Sequence, residues 1–213
     1  PAHAIPLPIV TGDQSAALFS DGQPYAEVAY INVGTGAFVQ RTSGHYPAHT
    51  RRLLSGVVLQ DGAELTYVLE GTVNGAGSAL AWLQERQALP DLEQHMPQWL
   101  ESRDEPPLFI NGVSGVGSPY WVPLLASRFI GPGEPWLQAV AVLESIVFLL
   151  QANLEEFGQL SSPFESLRVS GGLTAYDGLC RRLADLSRLP VYRPQVVEAT
   201  ARGTAWLLAG NPA

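Results

Sequence analysis

Apolar residues change their spacing near residue 71, and that switch restricts the chain to a fold of mixed α/β class. Ahead of it, Val28-Ala29-Tyr30-Ile31-Asn32-Val33 reads as a buried strand. Gly34-Thr35-Gly36 reads as a tight turn, and Ala37-Phe38-Val39-Gln40-Arg41 as the returning strand of a hairpin. Leu53 to Leu59 and Leu65 to Leu69 read as two more strands, joined at Asp61-Gly62. The first third is therefore expected to be an antiparallel meander. From Gly71, residues Val73, Ala76, Leu80, Trp82 and Leu83 follow a helical spacing to about Gln87, and a short helix is expected from Asp91 to Glu101. Leu108 to Gly112 reads as a strand leading into a glycine-rich loop that ends at Gly117. Glu134 to Phe157 is apolar almost all round, which predicts a central helix buried on more than one side.

The last stretch alternates. A strand (Leu167 to Val169) meets Gly171-Gly172, which is expected to open a helix from Tyr176 to Ser187. A short strand (Val191 to Arg193) and a helix from about Gln195 to Ala209 follow. Hairpins followed by helix–strand alternation predict one mixed sheet with helices on both faces. A strand end that runs through glycines into a helix is a common anion site, because free amides and the helix dipole point at the ligand.

Composition narrows the function. A net charge of −8 excludes a nucleic-acid-binding surface. The one cysteine, Cys180, excludes an internal disulfide, fits a reducing cytoplasm, and reads as a small buried hydrophobe. Leu137 to Leu150 is broken by Gln138, Glu144 and Ser145, too short and polar to span a bilayer, so no membrane partner is expected. The chain opens on Pro1 rather than Met and reaches a dense motif within a dozen residues, which reads as part of a larger protein.

Single motifs say less. Thr11-Gly12-Asp13-Gln14 follows an apolar segment (Ile5 to Val10); a carboxylate there suits a catalytic base or metal ligand, but alone reads as a turn former. Gly34-Thr35-Gly36 could cradle phosphate with backbone amides, yet alone reads as a hairpin turn. No Gly-Lys-Ser/Thr follows, so it is not a Walker loop. His45 and His49 lie in a polar loop without partners at zinc-ligand spacing. Ser114 matches a nucleophile elbow only loosely, and no histidine follows His95 to complete a triad.

Taken in order, the motifs resemble the C-terminal domain of the FGGY carbohydrate kinases, in a glycerol kinase-like branch. The matching segments are Gly12-Asp13-Gln14-Ser15-Ala16-Ala17-Leu18-Phe19, Gly34-Thr35-Gly36-Ala37-Phe38, Tyr67-Val68-Leu69-Glu70-Gly71, Ala76-Gly77, Ala81-Trp82-Leu83 and Gly117-Ser118-Pro119-Tyr120-Trp121. Leu143-Glu144-Ser145-Ile146, Gly171-Gly172, Arg193-Pro194 and Glu198-Ala199-Thr200 complete the set, which covers nearly the whole chain. The resemblance implies an actin-like (ribonuclease H-like) domain, here a single C-terminal nucleotide-binding domain over 1–213, working with an N-terminal sugar domain. It implies transfer of the γ-phosphoryl of ATP to a sugar or polyol hydroxyl, with Mg2+, in the cytoplasm, and allows a homo-oligomer. Asp13 would be the catalytic base beside the metal. Gln14 and Phe38 would contact substrate. Gly34, Thr35 and Gly36 would surround the β/γ-phosphates; Gly77, Gly171 and Gly172 would lie near the nucleotide. Ala81 stands where that branch has a glutamine near the nucleotide, and Tyr176 where it has an asparagine beside the adenine. A non-catalytic actin-like module that binds nucleotide or a partner is the alternative.

Overall fold

The computed structural model describes residues 9–160, 162–194 and 198–210. Its frame is a six-stranded sheet in the order β3-β4-β2-β1-β7-β8. The strands are β1 (Val28–Val33), β2 (Ala37–Gly44), β3 (Leu54–Asp61), β4 (Glu64–Val73), β7 (Ser166–Ser170) and β8 (Val191–Tyr192). β5 (Leu108–Ile110) and β6 (Arg128–Ile130) make a separate antiparallel pair, and β6 gave no sequence signal. The helices are α1 (Asp13–Ala17), α2 (Gly77–Gln84), α3 (Leu92–Trp99), α4 (Pro135–Leu160), α5 (Asp177–Ser187) and α6 (Ala199–Leu208).

The mixed sheet is as expected: β1, β2, β3 and β4 pair antiparallel, while β7 pairs parallel with β1 and with β8. The simple meander is not. β4, not β3, lies beside β2, and β3 is the edge strand. The turn at Asp61–Glu64 is tight and fixes the β3–β4 hairpin, whereas residues 45–53 leave enough chain to step over one strand position. β4 also runs past Gly71 to Val73, so the change of period comes later than the sequence suggests. Gly71 is covered by the side chain of Asn153 on α4 and remains in the strand.

Alternation sorts the strands' side chains. Ala29, Ile31 and Val33 of β1, Ala37 and Val39 of β2, and Leu167 and Val169 of β7 face the main core under α4. α4 is long and apolar enough to cross a membrane, but it is the core helix of this fold, with Val140, Leu143, Ile146, Val147, Leu150 and Phe157 buried. On the opposite face a smaller cluster of Leu18, Phe19, Val58, Val68 and Leu207 seats α1 and α6. Phe19 stacks on Trp206 there, with ring centroids 5.7 Å apart. Helices thus cover both faces.

Gly171-Gly172 leads into a 3-10 turn (Gly172–Ala175) that had no sequence signal, and α5 begins at Asp177, one residue after the expected Tyr176. The apolar segment from Ile5 lies mostly outside the described residues, and Ile9 and Val10 form no strand. The last helix begins at Ala199; Gln195, where it was expected to start, lies outside the described residues.

Candidate active site

β1 and β7 are parallel neighbours, so their carboxyl ends, Val33 and Ser170, lie side by side at one edge of the sheet. Open α/β sheets bind ligands outside such ends. The turn Gly34–Gly36 leaves β1 there, and Gly34 N donates to Gly36 O at 2.9 Å. Its carbonyls are engaged by the start of α2: Gly77 N donates to Gly34 O at 2.9 Å, and Ser78 N to Thr35 O at 3.0 Å. A Cβ on Gly77 would lie 2.8 Å from Gly34 O, so glycine lets α2 sit directly on the turn. Thr35 is exposed at its tip.

Gly171 joins the same cluster. Its φ is +94°, and a Cβ there would lie 2.6 Å from Val33 O. Gly172 is exposed, and its missing side chain would meet nothing. Thr174 Oγ1 and N both donate to Gly171 O, at 2.7 and 3.1 Å, and close the 3-10 turn. Because that turn intervenes, the free amides at this edge belong to a short turn, and the dipole of α5 begins further on.

Asp13 lies on the other helical layer, exposed at the first position of α1. Its Oδ1 accepts from Gln14 N at 2.9 Å, and its carbonyl accepts from Thr200 Oγ1 at 3.1 Å. α6 therefore holds α1 in place. Gln14 next to it faces a narrow cleft whose floor is the sheet: Asn32, Phe38, Gln40, Arg168 and Ser170 line it too. A second cleft, lined by Gly171, Gly172, Thr174 and Arg193, shares Val169, Ser170 and Pro194 with the first. The structure thus brings Gln14, Phe38 and the diglycine to one continuous depression, with Asp13 at the end of its helical wall. Ala81 is exposed on α2, and Tyr176 packs partly buried on the main core; neither lines these clefts. Burial, with the Glu93 carboxylate nearby, holds the Tyr176 phenol above its usual pKa.

Several lining residues escaped the sequence reading. Tyr30, Asn32, Gln40 and Arg168 occupy every second position of their strands, opposite the core-facing set. Polar residues in one row on three neighbouring strands were the available signal. Polar neighbours hold three of them: Asn32 Nδ2 donates to Ser170 Oγ at 3.0 Å, Gln40 Nε2 to Glu70 Oε2 at 2.8 Å, and Arg168 pairs with Asp21 at 2.7 Å.

Burial raises the Glu70 carboxyl above its ordinary pKa, and the Gln40 bond only partly offsets this. A carboxyl that holds its proton more tightly when folded loses stability as pH rises from its unfolded pKa through its raised folded one. Glu70→Gln is therefore expected to be more stable than wild type at pH 7, with the gap closing below about pH 4, near the unfolded value. Urea midpoints at the two pH values test this, and a gap independent of pH would contradict it. Cys180 is half-buried, with its thiol pKa raised by burial, as suits a packing residue.

A metal would find Asp13 but no group of three His, Cys, Asp or Glu among the described residues. That fits Mg2+ held by one carboxylate and substrate phosphates, since this ion keeps most of its shell in water and phosphate oxygens.

The sequence model of the FGGY family of carbohydrate kinases, C-terminal domain, matches residues 29–210. The chain is 33% identical to a glycerol kinase of Polaromonas naphthalenivorans, over 96% of this chain and 44% of that protein. It is 36% identical to a glycerol kinase of Citrifermentans bemidjiense, over 93% of this chain and 41% of that protein. The chain thus spans less than half the length of these curated relatives. In fold it matches the crystal structure of Plasmodium falciparum glycerol kinase with ADP, with a TM-score of 0.79 at 23% identity, over 92% of this chain and 40% of that one. The parallel β1–β7 pair, the antiparallel strands beside it and the helices on both faces are accordingly those of an actin-like (ribonuclease H-like) domain, and the chain belongs to the FGGY family of carbohydrate kinases.

Proposed function

We propose that this domain is the nucleotide-binding half of an ATP-dependent carbohydrate kinase that phosphorylates a sugar or polyol hydroxyl in the cytoplasm, together with an N-terminal sugar-binding domain. The supporting observation is the shared depression: Gln14, beside Asp13, and Ser170, beside Gly171, line one cleft although 156 positions separate them along the chain. Asp13 is exposed and free to accept the proton of the attacking hydroxyl as the bond to phosphorus develops. Gln14 and Phe38 orient that substrate. Thr35 with Gly34 and Gly36 faces the β/γ-phosphates, Gly171 and Gly172 let the nucleotide approach the backbone, and Gly77 supports the turn from behind. Mg2+, held by Asp13 and phosphate oxygens, would neutralise charge on the transferring group. Phosphoryl transfer needs charge stabilisation from both walls of a closed cleft, and the N-terminal domain would supply the second wall.

In the two-domain protein, Asp13→Asn is expected to lower kcat by about 10²- to 10⁴-fold with little change in ATP affinity. An ADP-release assay over a panel of polyols and ketoses, beside ATP calorimetry, measures both. The 213-residue chain alone is expected to show no turnover in the same assay. A second reading, a non-catalytic actin-like module that binds nucleotide or a partner, draws on the lack of a polar group at Ala81 and the packed ring of Tyr176. Full-length protein that binds ATP yet phosphorylates nothing in the panel would favour it.

A further inference from the structure

Position 41 breaks the row that β2 turns towards α4. Ala37 and Val39 are buried in the main core, and Arg41, the next in that row, is only 4% exposed. A guanidinium does not give up its proton in a protein, and a buried charge without a counter-charge is costly. Its NH1 donates to the Ser162 carbonyl at 2.8 Å and its NH2 to Ser162 Oγ at 3.0 Å. The group also lies 4.7 Å from the centroid of the Phe164 ring. These partners are neutral. α4 ends at Leu160 close by, and its C-terminal dipole supplies only a fraction of a negative charge. No carboxylate reaches Arg41 within ion-pair distance among the described residues. Glu27 acts on it from further away, and burial outweighs that attraction, lowering the Arg41 pKa from its usual value.

Arg41 opens onto a cleft of about 620 Å3, a volume typical of small-molecule sites, bounded also by Gln23, Tyr25, Ser43, His49 and Ser162. Among the described residues no Asp or Glu lines it, although the chain carries a net charge of −8. The Gln23 amide and the His49 imidazole are exposed, and neither makes a hydrogen bond among the described residues. The cleft therefore gathers a buried cation, a ring nitrogen and an amide, all able to donate, and offers no competing acid. It lies at the far end of β2 from the Gly34–Gly36 turn, about 13 Å along the strand.

We propose that this cleft is a second ligand site, separate from the kinase cleft, that binds a small oxyanion (a carboxylate or a phosphate ester) against the Arg41 guanidinium. A planar guanidinium takes two oxygens of either group at once, which suits it to this chemistry better than a point charge. His49 and Gln23 close over the ligand from the rim.

The test is calorimetric titration of the protein with sodium succinate and with inorganic phosphate, against sodium chloride at matched ionic strength. Saturable binding of succinate or phosphate is expected, and the stronger of the two identifies the oxyanion class. Arg41→Met should weaken it at least ten-fold. His49→Glu, at an exposed position where folding is not at risk, should do the same by placing a competing carboxylate in the cleft. Turnover is not read, so failure of the kinase assignment would leave this result standing. No saturable binding, or binding that survives His49→Glu unchanged, would overturn the proposal.

Discussion

Gly203→Ala is expected to destabilise the protein by about 3 kcal/mol or more, because the added methyl overlaps backbone rather than a side chain that could turn away. A Cβ at Gly203 would occupy the position of the Ala16 carbonyl oxygen and lie 3.3 Å from the Phe19 carbonyl carbon. α6 would have to lift from α1. Among the described residues, the cluster beneath them has Leu18, Phe19, Val58, Val68 and Leu207 as its buried members, so it has little to lose before it opens. The Phe19–Trp206 stack and the Thr200 bond to Asp13 would go with it. For a chain of this size the melting temperature should fall by about 10 °C. Activity of the two-domain protein should fall further than stability predicts, since Asp13 stands on the displaced helix. A melting temperature within about 1 °C of wild type would show that the two helices do not touch in this way.

The glycine pair should separate into two different phenotypes. Gly171→Ala meets both a left-handed φ of +94° and a backbone atom of Val33 at 2.6 Å. Together these should cost about 2–4 kcal/mol and disorder the 3-10 turn. Gly172→Ala meets open space at an ordinary φ, so stability should stay within about 0.5 kcal/mol of wild type. Its methyl would instead project where the nucleotide is proposed to approach, and ATP binding should weaken about ten-fold or more. Thermal melts and calorimetry on the two variants decide the matter. Equal ATP affinity for Gly172→Ala and wild type would mean the nucleotide does not pass over that residue.

Most of the frame was legible in the sequence because it rests on local patterns. β1 fell at Val28–Val33 as read, and the long apolar stretch became α4 with its ends close to the expected ones. What escaped was non-local. No periodicity tells β3 to cross to the edge and leave β4 beside β2, since both strands show the same alternation. β6 is three residues long and is defined only by its partner β5. One local feature escaped too: the 3-10 turn that Thr174 closes by bonding back to Gly171, a choice that competes with helix initiation, while α5 itself begins within one residue of the expected Tyr176. Of the depression at the sheet edge, Gln14 and the diglycine were legible through the motifs they stand in, and the order of those motifs carried the family. The floor of the depression was not, because Gln40, Asn32 and Arg168 are ordinary polar strand residues until β1, β2 and β7 are set side by side.

The strict two-residue repeat of these three strands divides labour in a way that bears on how such a domain can diversify. Ile31, Val33, Val39, Leu167 and Val169 are committed to holding α4, and changes there are felt by the whole fold. The alternate residues, Tyr30, Asn32, Phe38, Gln40, Arg168 and Ser170, lie outside the main core and face the depression. On the proposed function, exchange among the second set would retune which hydroxyl-bearing molecule is accepted while the scaffold stays intact. A new preference is thus reachable by single steps, without passing through an unfolded ancestor.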